Sequence, residues 1–196
     1  MIHIVAVAAV LGLGACDKHP GPTAQPLHLS DLPRHVDTIG ASTQTLNYSP
    51  WYIHEWGFQG PDGSGLQGGG PNVMPADADG KPSGGGAQTC CSDIPPVWQP
   101  DLTLTVRWLV DKKQNGKTPG YWYKAENVRI PKYGRDMGGL WAVFLPGDRI
   151  RIMVADGQKG DANDPDIRPA DNDPYVVQGK VDQEWNRLYR DGASTQ

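Results

Sequence analysis

The feature that most constrains the fold is a glycine-rich stretch at residues 57–86. It contains glycine triplets at 68–70 and 84–86, and the adjacent pair Cys90-Cys91 follows it. Glycine loses more backbone freedom on ordering than any other residue, so such a stretch opposes a helix or the middle of an ordinary strand. We therefore expect a long loop, or a set of linked turns, that leads into a strand. Loops of this length in a compact domain are usually functional or disordered.

Strand-like alternation covers most of the remaining chain. It is clearest at residues 102–110, where apolar side chains alternate with Thr103, Thr105 and Arg107. That pattern predicts a strand with one buried and one wet face. The buried face would carry Leu102, Leu104, Val106, Trp108 and Val110. Further β patterns lie at 38–48, 51–58, 121–130, 140–145 and 149–154. Regularly spaced strands without helical periodicity predict an all-β fold, a β-sandwich of antiparallel strands with the long glycine-rich loop.

Two segments permit finer predictions. In residues 51–58 the alternation would place Tyr52, His54, Trp56 and Phe58 on one face. Near the C-terminus, Asp182 can cap a short helix over residues 183–190. The apolar stripe of that helix would be Trp185, Leu188 and Tyr189. We expect this stripe to dock on the sandwich.

The N-terminus has the pattern of a lipoprotein signal. Residues 1–15 are mostly apolar, too short to span a bilayer, and end in Leu13-Gly14-Ala15 before Cys16. This ending resembles the lipobox of bacterial lipoproteins, whose cysteine is lipidated after cleavage; the alternative is a buried first strand. We expect a signal peptide at 1–15, lipidation at Cys16, a tether at 16–35 and a folded domain at 36–196. The protein would then lie in the periplasm, anchored to the inner or the outer membrane.

The two remaining cysteines are adjacent. In an oxidising periplasm Cys90 and Cys91 can form a disulfide with each other, remain free on opposite faces of a strand, or bridge to another chain. The residues alone leave these three arrangements open. Adjacent thiols without a nearby histidine are a poor zinc site.

An acidic segment occupies residues 156–173. Aspartate and asparagine oxygens are ligands for calcium, but the spacing departs from the calcium-loop pattern and Pro165 interrupts it. A solvated acidic loop is the favoured interpretation. We expect no metal and no cofactor.

Motifs of catalysis and of nucleic-acid binding are missing from the sequence. Ser64 lacks the glycine frame of a hydrolase nucleophile, and His54-Glu55 does not extend to a zinc-protease motif. The net charge of −4 and the lack of a basic cluster disfavour a nucleic-acid partner. We expect a protein that is not an enzyme and has no catalytic residues.

A set of short motifs between Asn47 and Asp156 resembles a known family. These motifs are Asn47-Tyr48, Tyr52-Ile53-His54, both glycine triplets, Cys90-Cys91, Ile94-Pro95, Trp98-Gln99-Pro100-Asp101-Leu102, Val106-Arg107-Trp108 and Phe144-Leu145-Pro146-Gly147-Asp148-Arg149-Ile150. The chain is similar in them to Gram-negative lipoproteins of unknown-function designation. Those proteins resemble immunity proteins of the type six secretion system, which are tethered in the periplasm and bind an incoming phospholipase toxin. The resemblance implies that function for this chain.

A partner-binding face can be suggested from the glycine-rich stretch and the acidic segment. Aromatic and apolar side chains would supply affinity, and aspartates would speed encounter. The residues are Trp56, Phe58, Leu66, Val73, Met74, Asp161, Asp164 and Asp166. The plain alternative is that Trp56 belongs to the core.

A different class of function, a glycan-binding or assembly lipoprotein of the cell envelope, is the rival to immunity, because exposed Trp and Tyr rings stack on sugars.

Overall fold

The structure is a computed structural model that describes residues 35–113, 115 and 120–193, and it leaves out the side chains of residues 190–193. The predicted signal peptide, the lipidation site Cys16 and all of the tether except His35 lie outside the described residues. Within the described part of the chain, no helix is long and apolar enough to cross a membrane.

The described residues form ten strands and one helix. In chain order these are β1 (Ile39–Asn47), β2 (Tyr52–Gln59), β3 (Gln67–Gly70), β4 (Ser83–Ile94), β5 (Thr103–Asp111), β6 (Tyr121–Arg129), β7 (Gly139–Leu145), β8 (Arg149–Ala155), β9 (Val177–Gln178), β10 (Lys180–Val181) and α1 (Gln183–Ala193). Sheet A has the order β4-β1-β7-β8-β9, and sheet B has the order β10-β6-β5-β2-β3. Neighbouring strands are antiparallel except β1 and β7. The predicted all-β sandwich with a short C-terminal helix is confirmed.

The main core combines the inward faces of both sheets. Sheet B contributes the alternating β5 residues Leu104, Val106, Trp108 and Val110, as the sequence predicts, whereas Leu102 precedes the strand and is half-buried. Sheet A contributes Phe144, Ile150, Ile152 and Val154. The Trp108 ring stacks on Tyr123 at 5.8 Å between centroids and meets Phe144 edge-on at 5.8 Å. Burial of these large side chains is the main stabilising term of the fold.

A second apolar cluster lies on the other face of sheet A. It consists of Leu46, Val143, Leu145 and Met153, with Tyr48, Trp141 and Val176 packed against it. The buried Arg151 ties the acidic segment to this face: its Nε lies 3.1 Å from Asp173 Oδ2, and its Nη2 donates to the Ala162 carbonyl at 2.7 Å. The segment is therefore a packed structural element, and the prediction of a solvated acidic loop is wrong for its buried part.

The glycine triplets lie in strands, so the prediction of a long loop or linked turns is wrong for the triplets; residues 60–66 and 71–82 lie outside the strands, and the stretch leads into β4 as predicted. Gly68, Gly69 and Gly70 form most of β3, and the second triplet lies near the start of β4. Glycine is needed in β3 because its neighbours approach closely: a Cβ at Gly70 would lie 2.5 Å from the Trp56 ring. In β4, Gly84 has a φ of 103°, which other residues rarely adopt, beside a register shift in the pairing with β1.

Strand β2 also departs from the predicted alternation. Its pairing with β5 shifts register between Ile53 and Glu55, so the extra residue His54 faces solvent. Ile53, Trp56 and Phe58 therefore point inward, whereas the predicted face held His54 and left out Ile53. The shift turns Glu55 outward.

Candidate functional site

Four residues of the predicted binding face lie in the protein interior. Trp56, Phe58, Leu66 and Val73 are buried, with Trp56 only 3% exposed. The Trp56 indole N–H donates to Thr45 Oγ1 at 2.8 Å, deep between the sheets. These four side chains are therefore not available to a partner on the surface of this fold. The burial has a physical cause: Trp56 and Phe58 are on the inward face of β2, and Leu66 and Val73 flank β3, which pairs with β2.

Of the other four members of that face, Asp161, Asp164 and Asp166 belong to one hydrogen-bonded turn of the acidic segment, whereas Met74 lies between β3 and β4. Met74 is 63% exposed, and Asp161 and Asp166 are exposed. Asp164 is buried, and its carboxylate accepts hydrogen bonds from the Gly160 and Asp166 backbone N–H groups at 2.8 and 3.0 Å. The Gly160 bond, followed by the Asp166 bond, holds the pKa of Asp164 below its ordinary value. Among the described residues, no group of three or more His, Cys, Asp or Glu side chains is arranged to hold a metal ion.

A cleft lies on the outer face of sheet B, and its lining includes Trp56 and Phe58, although the side chains of both are buried. Its volume is about 490 Å³. Strands β2, β3 and β5 form the floor, α1 forms one wall, and the edge strand β4 of sheet A forms the other. The cleft thus lies along the seam between the two sheets. Clefts of about 300–1,000 Å³ are the usual size for binding sites.

The cleft is deep at this point because its floor contains glycines, which have no side chains to fill it. Gly57 of β2 and Gly69 of β3 are cross-strand partners, and Gly57 also pairs with Arg107 of β5. A Cβ at Gly69 would lie 2.5 Å from the Trp56 carbonyl oxygen, so the close pairing itself requires glycine. The residues that suggest a loop in the sequence therefore form the floor of the cleft.

The polar side chains of the floor come from the wet faces of the same strands. They are Glu55, Gln59, Gln67, Thr105 and Arg107. Their inward neighbours on β2 and β5 fill the core, so alternation along each strand turns these side chains outward. The floor therefore presents carboxylate, amide, hydroxyl and guanidinium groups.

The α1 wall is fixed by Asp182 and Asn186. The Trp185 backbone N–H donates to Asp182 Oδ1 at 3.1 Å, which caps the helix as the sequence predicts, and Asp182 Oδ2 lies 3.0 Å from Arg107 Nε. Asn186 accepts from the Trp122 N–H and donates to its carbonyl, both at 2.9 Å. Burial favours the neutral acid, but the Trp185 N–H and the Arg107 guanidinium outweigh it and hold the pKa of Asp182 below its ordinary value.

The aromatic part of this wall is a tryptophan pair. Trp185 meets Trp122 edge-on with ring centroids 4.8 Å apart, and the Arg107 guanidinium lies 4.9 Å from the Trp185 centroid. Leu188 and Tyr189 are exposed, so the predicted docking stripe is wrong except for Trp185. The polar contacts of Asp182 and Asn186 orient the helix in place of an apolar stripe.

The β4 wall carries the twin cysteines. Cys91 and Asp93 line the cleft, and Ser92 between them points inward, where its hydroxyl lies 2.6 Å from that of Thr43. Of the three cysteine arrangements left open by the sequence, the structure has a disulfide between Cys90 and Cys91, and the peptide bond between them is cis. Both cysteines are exposed, so this rim of the cleft is accessible.

The predicted binding face includes the part of the lining that comes from residues 56–59 and 67–69, but sequence reasoning missed the contributions of β5, β6 and α1. Alternation places Arg107 on a wet face and helical periodicity places Trp185 on a helix, but periodicity within one element does not reveal which elements meet. The signal that could have found them is the high Trp and Tyr content, seven of each in the chain, since these rings favour half-buried interface positions.

A comparison with family models identifies one family. The model described as "Protein of unknown function (DUF3304)" matches residues 46–152, more than half of the chain. The matched range includes the floor of the cleft and its β4 wall, whereas α1 lies beyond it. Searches of curated proteins and of solved structures found no match. The chain belongs to the DUF3304 family of proteins of unknown function.

Proposed function

We propose that this protein is a periplasmic, membrane-tethered immunity protein that binds and inhibits a phospholipase effector of the type six secretion system. The observation that carries the proposal is the open cleft on sheet B, which has a rigid floor, an aromatic wall and a disulfide-bearing rim. The lipobox-like ending at Cys16 and the sequence resemblance described above supply the location and the class of partner.

The architecture suits an inhibitor that works by occupying a surface of its target. Such a protein needs a preorganised surface, because loss of side-chain freedom on binding weakens association. In the cleft, Asp182 and Asn186 hold the helix wall, and paired strands hold the floor. A lipid anchor would add a further advantage by concentrating the protein at the membrane that the phospholipase attacks.

The direct test is a titration of phospholipase activity. The full chain, solubilised in nonionic detergent, is added to a phospholipase effector of the type six secretion system from the same genome, and hydrolysis of phospholipid in mixed micelles is followed. We expect stoichiometric loss of activity and a dissociation constant near 1 nM, about −12 kcal/mol. Full activity at micromolar concentrations of the chain would refute the proposal for that enzyme.

A second candidate function is glycan binding in the cell envelope. It is favoured by the half-exposed Trp185 ring, which shares the cleft with the Gln59 and Gln67 amides and the Glu55 carboxylate. Sugar rings stack on indoles, and their hydroxyls bond to such polar groups. Titration with soluble peptidoglycan fragments, followed by tryptophan fluorescence, tests it. A saturable change that is lost in Trp185→Ala would support this function, and its absence in the wild-type protein would reject it.

A further inference from the structure

The charges that line the cleft are unbalanced. Glu55 is exposed on the floor, and Asp93 is half-buried on the β4 wall. Within the described part of the chain, neither carboxylate takes part in an ion pair. The cleft therefore offers two acidic groups that no side chain of the described residues neutralises.

The positive charge that lines the cleft, that of Arg107, is already paired with a carboxylate. Arg107 pairs through Nε with Asp182 at 3.0 Å and donates from Nη1 to Gln59 Oε1 at 3.2 Å. The Nε contact pairs the guanidinium with Asp182 beside α1, and among the described residues no ion pair joins it to Glu55 or Asp93. The cleft is complementary to a positively charged group.

Two features other than the carboxylates favour a long cationic side chain. The Trp185 ring is a half-exposed aromatic wall; Arg107 covers part of it at 4.9 Å, and the exposed part can cover the aliphatic stem of a lysine or arginine. The paired glycines Gly57 and Gly69 have no side chains, so the floor leaves room for an incoming side chain. A lysine or arginine side chain has the length, the apolar stem and the charge that these features accept.

We infer that the cleft receives a lysine or arginine side chain carried on a surface loop of the phospholipase. The stem packs in the cleft beside Trp185, and the cation pairs with one of the two carboxylates that line it, Glu55 or Asp93. This inference rests on the proposed function, since it names the chemistry by which the same cleft recognises its partner. Charge pairs of this kind speed encounter and set specificity.

The test compares charge-neutral variants of matched shape. Glu55→Gln with Asp93→Asn removes both charges from the cleft, and Asp101→Asn with Asp136→Asn removes two exposed charges that lie outside it. Glu55→Lys is a second variant that places a cation at the floor. Binding of each detergent-solubilised full chain to the phospholipase is measured by biolayer interferometry at low and high salt, and thermal unfolding verifies the fold.

We expect the cleft variant to raise the dissociation constant about 10- to 100-fold, Glu55→Lys to raise it further, and the control to leave it unchanged. The association rate of the wild-type chain should fall with added salt more than that of the cleft variant. Unchanged affinity in the folded cleft variant, with a wild-type chain that inhibits normally, would overturn this inference and leave the proposed function standing. A wild-type chain that does not bind the enzyme would overturn both.

Discussion

Asp182 and Arg107 join the C-terminal helix to the middle of sheet B. One oxygen of the Asp182 carboxylate accepts from the Trp185 N–H at 3.1 Å, and the other lies 3.0 Å from Arg107 Nε. A single side chain thus begins α1 and attaches its first turn to β5. The wall of the cleft depends on this residue more than on any apolar contact of the helix.

Replacing Asp182 separates these two roles. Asp182→Ala removes the cap, which contributes about 1 kcal/mol, and a hydrogen bond to a charged group, which contributes about 1.5–3 kcal/mol. Asp182→Asn retains a good capping residue and loses the ion pair, so we expect a smaller destabilisation. Urea unfolding of both variants measures the difference, which is the contribution of the cap. Equal losses of stability would show that the cap contributes nothing, and an Asp182→Asn variant as stable as the wild type would show that the ion pair contributes nothing.

The same carboxylate predicts a dependence of stability on pH. Because the folded protein holds the pKa of Asp182 below its ordinary value, its stabilising effect is complete above the unfolded value of about 4. The effect is lost as the pH falls through the lower folded pKa. We expect the free energy of unfolding of the wild-type protein to exceed that of Asp182→Asn at pH 7 and to approach it near pH 2. A difference in the free energy of unfolding that stays constant between pH 7 and pH 2 would contradict the lowered pKa of Asp182.

Arg151 is predicted to hold the acidic segment on sheet A. Its side chain is 4% exposed and contacts Asp173 and the Ala162 carbonyl. Arg151→Met leaves the Asp173 carboxylate without its partner, so we expect a loss of about 3–5 kcal/mol in the free energy of unfolding. Lys159→Met, which removes an exposed cation that pairs with Asp166 and lies 3.7 Å from Asp164 in the same segment, is the control and should change stability much less. Chemical denaturation of both variants tests this, and similar losses would contradict it.

The Cys90-Cys91 disulfide is expected to matter more for binding than for stability. It joins residues with a sequence separation of 1, so it closes almost no loop, and disulfides stabilise mainly through loop closure. We expect the double replacement of both cysteines by serine to change the free energy of unfolding by no more than about 1 kcal/mol. Because Cys91 lines the cleft, inhibition of the phospholipase should weaken. Unfolding and inhibition are measured on the same preparation, so that an effect on stability is distinguished from an effect on binding. A large loss of stability with normal inhibition would show that the disulfide matters for stability and not for binding.

The parts of the fold that local alternation determines could be predicted from sequence. Residues 104–110 and 149–154 place the predicted apolar side chains inward because burial on one side of a strand leaves a period of two. Strand β2 departed from this pattern because an extra residue at His54 reverses the alternation. Nothing in its local composition marks that position.

The candidate site could not be predicted, because it depends on contacts between distant segments. Glycine in β3 is required by the approach of Trp56, and propensity alone therefore suggested a loop. Arg107 and Asp182 are 75 residues apart in sequence, and only the fold brings them together. The apolar residues chosen for a binding face have the same hydrophobic character as core residues, so the sequence could not separate them.

The central claim is that the cleft on sheet B is the surface that inhibits the phospholipase. Thr105→Trp fills the cleft from the floor, whereas Thr103→Trp places the same ring on the same face of β5 outside the cleft lining. The decisive measurement is the inhibition constant of each full chain against the phospholipase. We predict that Thr105→Trp weakens inhibition at least about 100-fold, or about 2.7 kcal/mol, and that Thr103→Trp inhibits like the wild type. Normal inhibition by a folded Thr105→Trp variant would contradict the claim.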